Sequence, residues 1–244
     1  MNIFWDARDR SETYTVVPGE NCVIGVQVRG RISRVEGERT EALRIAGITG
    51  VLTGPRTFYS QANTKSLLIQ IPPLLLSRRI SVPMNEIKDA SLSLEDLFTK
   101  SEVSQLLEDC EEANENVSVS SWDASLVFQK FWKNKELKED SDTYLIEAMQ
   151  RIRSSAGELG IRSLAEDLGV SQSTLERGFK ARVGINPKEF ASLVRFRKAL
   201  EGLGKTESLT ELAYGSGYYD QAHFIREFKK KTGTSPKKWN SLNI

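Results

Sequence analysis

Residues 164–187 read LAEDLGVSQSTLERGFKARVGINP, and residues 212–236 read LAYGSGYYDQAHFIREFKKKTGTSP. Leu164-Ala165 aligns with Leu212-Ala213 and Gly169 with Gly217 at an offset of 48. After one added residue, Ser171/Asp220, Leu175/Phe224, Arg177/Arg226, Phe179/Phe228, Lys180/Lys229, Gly184/Gly233 and Pro187/Pro236 align at 49. Recurrence at fixed spacing across a single insertion marks two copies of one supersecondary unit. In the first copy Leu164, Ala165 and Leu168 stand at helical spacing, and Leu175 and Phe179 resume it after a break. The break carries a glycine, suited to a helix end that needs positive φ. Ser171 or Asp220 then offers a side-chain oxygen to cap the next helix. Helix, glycine turn and capped helix make a helix-turn-helix.

With Leu175 and Phe179 turned inward, the second helix of copy one presents Gln172, Ser173, Glu176 and Arg177 outward. Copy two presents Gln221, Ala222 and Arg226, with Ile225 and His223 beside them. Glutamine suits adenine, arginine suits guanine, glutamate accepts from cytosine, and apolar groups suit the thymine methyl, so both faces are able to read bases. Lys180, Lys229-Lys230-Lys231 and Lys237-Lys238 are expected to contact phosphate. Between the copies, Pro187 opens an apolar-faced run that ends at Gly202 and Gly204, the punctuation of one long helix. At 1.5 Å per residue it is roughly 25 Å long, enough to hold two recognition helices over successive major grooves about 34 Å apart.

The stretches SLAEDLGVSQSTLERGFKARVGINPKEF and GYYDQAHFIREFKKKTGTSPKKW resemble the C-terminal domain of AraC/XylS-type transcription regulators. The resemblance implies an all-helical domain, with a leading helix near Thr143–Ser155 and a closing one near Pro236–Leu242. It places the base-facing positions on Ser173, Glu176 and Arg177, then on Gln221, Ala222, His223 and Arg226. Copy one departs from the commoner pattern in two ways: Glu176 is acidic, and Gly178 costs the helix roughly 1 kcal/mol against alanine. The segment VPMNEIKDASLSLEDLF (82–98) resembles one found in a subgroup of these regulators whose N-terminal half is β-rich and then helical. The partners so implied are double-stranded DNA, RNA polymerase and a small-molecule effector, with a homodimer resting on apolar helix faces near 120–132. No cofactor is expected.

Net charge is +1 over 244 residues, and it hides a split. Residues 142–244 hold 17 Lys/Arg and 12 Asp/Glu, a net of +5, whereas the first 141 carry a net of −4. A basic module that approaches phosphate, tied to one that does not, fits this distribution. No apolar run reaches 18 residues and the start lacks a signal peptide's features, so no transmembrane span and a cytoplasmic location are expected. Cys22 and Cys110 form no CxxC pair and read as reduced thiols, a redox-sensor role being the rarer alternative.

In the first half, the β-branched runs at 22–32, 41–53 and 65–71 predict short strands within about residues 13–72. Beyond Pro72-Pro73, the periodicity at 95–113 and 120–134 predicts helices, with Trp122, Phe131 and Trp132 as packing residues. The charged run KNKELKEDSD (133–142) sets a boundary between a regulatory domain, 1–138, and a double helix-turn-helix domain, 139–244. The fold class is therefore two domains. The first is α+β, a β-rich sheet or barrel-like unit followed by helices; the second is all-α. The only histidine is His223, in the second domain, so neither a histidine-built metal site nor histidine acid–base catalysis belongs to the first. No P-loop, dinucleotide fingerprint or G-x-S-x-G occurs, and an enzyme is not expected. The rival to a DNA reader is a protein-interaction adaptor whose helix-turn-helix units do not read DNA.

Overall fold

The computed structural model describes residues 1–115, 121–133, 143–205 and 208–242. Among the described residues, nine strands build two antiparallel sheets. The first contains β1 (Asn2–Arg8), β3 (Cys22–Arg29), β6 (Ala46–Thr49), β8 (Thr64–Ile71) and β9 (Ser91–Ser93), in the order β1-β8-β3-β6-β9. The second contains β2 (Glu12–Val16), β4 (Ile32–Glu36), β5 (Arg39–Ala42) and β7 (Arg56–Ser60), in the order β2-β7-β4-β5. Period-two alternation decides which face is inside. Ile24 pairs with Ile69 on one side and Ile48 on the other, and all three are buried in one row across three strands. Burying such a side chain stabilises by about 1.5–3 kcal/mol, so this row fixes the register of the central strands.

The strands exceed the predicted span at both ends. β1 begins at Asn2, where NIFWDAR alternates without Gly or Pro to announce it, and β9 lies beyond Pro72-Pro73. The run at 41–53 is not one strand: Ala42 ends β5 and Ala46 opens β6 in the other sheet.

After the short helix α1 (Pro73–Ser77), two of the described helices cover the first sheet. α2 (Lys100–Glu115) buries Val103, Leu106, Cys110 and Ala113, and α3 (Ser121–Lys133) buries Ala124, Val127, Phe128 and Phe131. Arg79 donates to the last carbonyls of α3, at 2.8 Å from Trp132 O and 3.1 Å from Phe131 O. The apolar face on which the homodimer expectation rested is therefore spent inside the chain. Of that helix's aliphatic residues, Leu126 is exposed. The side chain of Trp122 and the boundary at 138/139 lie outside the described residues.

The helical half comprises α4 (Thr143–Ser154), α5 (Ile161–Asp167), α6 (Gln172–Val183), α7 (Pro187–Gly202), α8 (Leu209–Gly215), α9 (Gln221–Thr232) and α10 (Pro236–Leu242). Leading and closing helices thus stand where expected. The core runs unbroken from the first sheet, α2 and α3 into α4, α5, α6 and the first half of α7, ending at Val194. A second, smaller core begins at Phe196 and gathers Leu212, Ala213, Tyr218, Phe224 and Phe228.

Candidate nucleic-acid interface

Each repeat folds as its residues demand. After α5 the chain turns at Gly169, φ +69°, and after α8 at Gly217, φ +78°, a region costly for side-chain-bearing residues. Ser171 Oγ then accepts from the Thr174 N–H at 3.1 Å, and Asp220 Oδ1 accepts from the His223 N–H at 2.6 Å. These bonds satisfy N–H groups that the first turns of α6 and α9 leave open.

Both recognition helices stand on α7. Phe179 of α6 meets Phe190 edge-on at 5.9 Å between ring centres, and Phe228 of α9 meets Phe196 at 5.6 Å. Six residues separate Phe190 from Phe196, which places them about 120° apart around the helix and roughly 9 Å apart along it. One helix thereby carries a helix-turn-helix unit on each of two faces. A capping box fixes its start: Asn186 Oδ1 accepts from Glu189 N–H at 2.8 Å, and Glu189 Oε2 accepts from Asn186 N–H at 2.9 Å.

The expected base-facing residues fall into two groups. Gln172, Ser173 and Arg177 on α6 and Ala222 and Arg226 on α9 are exposed. The two arginines lie four residues beyond Ser173 and Ala222, one turn along the same stripe. Glu176, Gln221 and His223 are half-buried and engaged within the chain. Glu176 Oε1 accepts from Gln172 Nε2 at 2.9 Å, Gln221 Oε1 accepts from Thr210 Oγ1 at 3.0 Å, and the His223 ring packs edge-on against Tyr218 at 5.5 Å. These bonds leave Gln172 its Oε1 and a second N–H, and leave Gln221 both its N–H groups, for a base edge.

Lys180, Lys229, Lys230 and Lys237 are exposed. Lys231, expected beside them, is 6% exposed, with Nζ 6.0 Å from the centre of the Phe196 ring. It follows Phe224 by seven residues and Phe228 by three, and so turns to the inner face of α9. Burial, with Lys230 and Arg195 nearby, holds its ammonium below the usual lysine range, although Glu227 and Glu189 oppose the shift. Sequence reasoning missed Tyr219 and Tyr214, 85% and 60% exposed beside the second recognition helix. The signal was there: Tyr219 sits between the buried Tyr218 and the capping Asp220, off the apolar period of either helix.

Among the described residues no group of His, Cys, Asp and Glu could hold a metal ion, and no helix is long and apolar enough to cross a membrane.

Residues 164–241 match a family model described as a helix-turn-helix domain. The chain is 32% identical over 83 residues to the HTH-type transcriptional activator RhaS of Escherichia coli, a stretch covering 34% of this chain and 30% of that activator. The chain thus spans well under two thirds of the length of the curated relatives it matches. ToxT from Vibrio cholerae is similar over nearly the full length, with a TM-score of 0.53, 12% identity, and coverage of 99% of this chain and 97% of that one. Wild-type ToxT with an unsaturated fatty acid bound superposes with a TM-score of 0.50 at 13% identity, covering 98% of this chain and 94% of that one. At such identities the likeness extends to the fold: a β-sheet domain followed by a helical helix-turn-helix domain.

Proposed function

We propose that this chain, whose C-terminal domain is a helix-turn-helix pair of the AraC/XylS type, is a sequence-specific DNA-binding regulator of transcription. It reads two successive major-groove segments and is controlled through its N-terminal domain. One observation carries the reading: two capped recognition helices stand on one connecting helix through Phe190 and Phe196, and each presents an exposed arginine, Arg177 or Arg226, on the stripe begun by Ser173 or Ala222. A guanidinium on an exposed helix face is the side chain best matched to guanine O6 and N7. Exposed Lys180, Lys229, Lys230 and Lys237 supply positioning contacts to phosphate.

The partners in this reading are double-stranded DNA and, at promoters, RNA polymerase. Control by a small-molecule effector is part of the proposal. It is supported by the core that joins the first sheet to the first reading unit, and by the fatty-acid-bound form of a protein with the same fold. Selection of random duplexes by the purified chain, with Arg177→Ala and Arg226→Ala in parallel, tests the reading. Two enriched half-sites about one helical turn apart, each blurred by one of the substitutions, are expected. No enrichment above background at low salt would reject DNA reading in favour of an adaptor role.

A further inference from the structure

The segment that resembles the subgroup motif, 82–98, is not surface decoration. Its one-turn 3₁₀ helix, Met84–Glu86, packs against α6, and Met84 and Ile87 are each 1% exposed within the core that also holds Leu175, Phe179 and Val183. Gly184 ends α6 at φ +94°, and a β-carbon there would stand 2.8 Å from the Met84 carbonyl oxygen, so backbone meets backbone at this point. Two residues earlier, Arg182 Nη1 donates to the Ser77 carbonyl at 3.1 Å. On the far side of the α6–α7 corner, Lys88 Nζ donates to Glu189 Oε1 at 2.6 Å. Glu189 is the capping-box residue of α7, and its other oxygen holds the Asn186 N–H. One carboxylate therefore ties the start of α7 to the N-terminal domain.

The second unit is attached differently. Its buried core is separate, and the N-terminal region reaches it through Val17 and through Pro55, whose Cγ would lie 4.0 Å from a β-carbon on Gly233.

We infer that the Met84–Lys88 segment positions the first reading unit, so that the presentation of α6 to DNA is set by the N-terminal domain, while α9 is presented by its own core. Lys88 is the positioning residue most open to test, because its side chain is 29% exposed and makes its contact at the edge of the interface. A reading helix has to be held to within roughly 0.5 Å and 10–20° for a bidentate contact to form, and a displaced α6–α7 corner exceeds that before it unfolds anything. This inference rests on the DNA-reading proposal above.

The experiment uses the full chain and its selected duplex, together with two derivatives in which one half-site or the other is scrambled. The half-site blurred by Arg177→Ala belongs to α6. Lys88→Glu places an acid against Glu189 and is expected to weaken binding to the duplex that retains only the α6 half-site by about ten-fold. Binding to the duplex that retains only the α9 half-site stays unchanged, Lys88→Arg behaves as wild type on both, and the melting temperature moves by no more than a few degrees. Equal weakening on both duplexes, or none on the α6 duplex, overturns the positioning role while leaving DNA reading intact. A wild-type chain that binds neither duplex nor the parent overturns both.

Discussion

A β-carbon on Gly178 would meet the hydroxyl of Tyr144, and the same carbon would stand 3.1 Å from Leu145 Cδ2. The glycine that weakens α6 as an isolated helix is thus what lets α4 cross it closely. Gly178→Ala gains roughly 1 kcal/mol of helix propensity and loses about 1–3 kcal/mol to overpacking. A net loss of stability is expected in urea titration. Tyr144→Phe, which removes the hydroxyl, should recover part of that loss; a Gly178→Ala chain more stable than wild type would contradict the packing account.

Arg177 and Arg226 are exposed and, among the described residues, neither has an ion-pair partner. If each reads guanine, alanine at either position lowers affinity for the selected duplex by about 1–3 kcal/mol and relaxes preference at one base pair. Competition against single-base variants of the duplex measures this. A loss uniform across all variants would reassign the arginine to phosphate.

The lysine run after the second recognition helix divides by burial. Lys229→Ala and Lys230→Ala should each flatten the dependence of log K on log salt by about 0.9. Lys231→Met should leave that slope alone, because its ammonium is enclosed beside Phe196. Titrations at four or five salt concentrations separate the two behaviours.

Cys22 and Cys110 are both fully buried, and burial pushes each thiol up to about 12, with Asp109 and Glu111 adding to the effect at Cys110. At neutral pH neither is a thiolate, so neither should react with a thiol-specific reagent until the chain unfolds. Counting modified thiols with and without denaturant checks this. Rapid labelling of one cysteine in the native chain would revive a redox role.

The Lys88–Glu189 contact also makes stability depend on pH. Burial pushes the Glu189 carboxyl up, but the hydrogen bonds from Lys88 and the Asn186 N–H, with the charges of Lys88 and Lys231, outweigh it and hold the group below the usual carboxylate range. A lowered folded value means the contribution is complete above the unfolded carboxyl's range, about pH 4.3, and is lost as pH falls through the folded value. Between about pH 5 and 3 the melting temperature of wild type should therefore fall more steeply than that of Glu189→Gln. Parallel slopes would remove Glu189 from the acid response.

The repeat, its caps, its glycine turns and the inward pairs Leu175/Phe179 and Phe224/Phe228 were legible in the sequence because each is local: spacing of 3.6 residues, one oxygen at a helix start, one glycine at a helix end. The same period placed Lys231 inside, since it follows Phe224 by seven residues, and reading the lysines as a run concealed it. Strand β1 and the division of 41–53 between two sheets were not legible, because strand pairing is set by partners tens of residues away: Asn2 pairs with Gln70, and Thr49 with Ser91. Nor could the sequence show what Gly178, Met84 and Lys88 do. Each acts through a contact between segments that only the packed chain brings together, Tyr144 over Gly178, Met84 against Gly184, and Lys88 on Glu189, 101 residues further along. The sequence by itself determined that two helix-turn-helix units exist and which apolar residues their second helices turn inward, since helical periodicity follows from backbone geometry. Tertiary structure alone decided that the first unit shares its core with the N-terminal domain and the second does not, because burial depends on which surfaces meet.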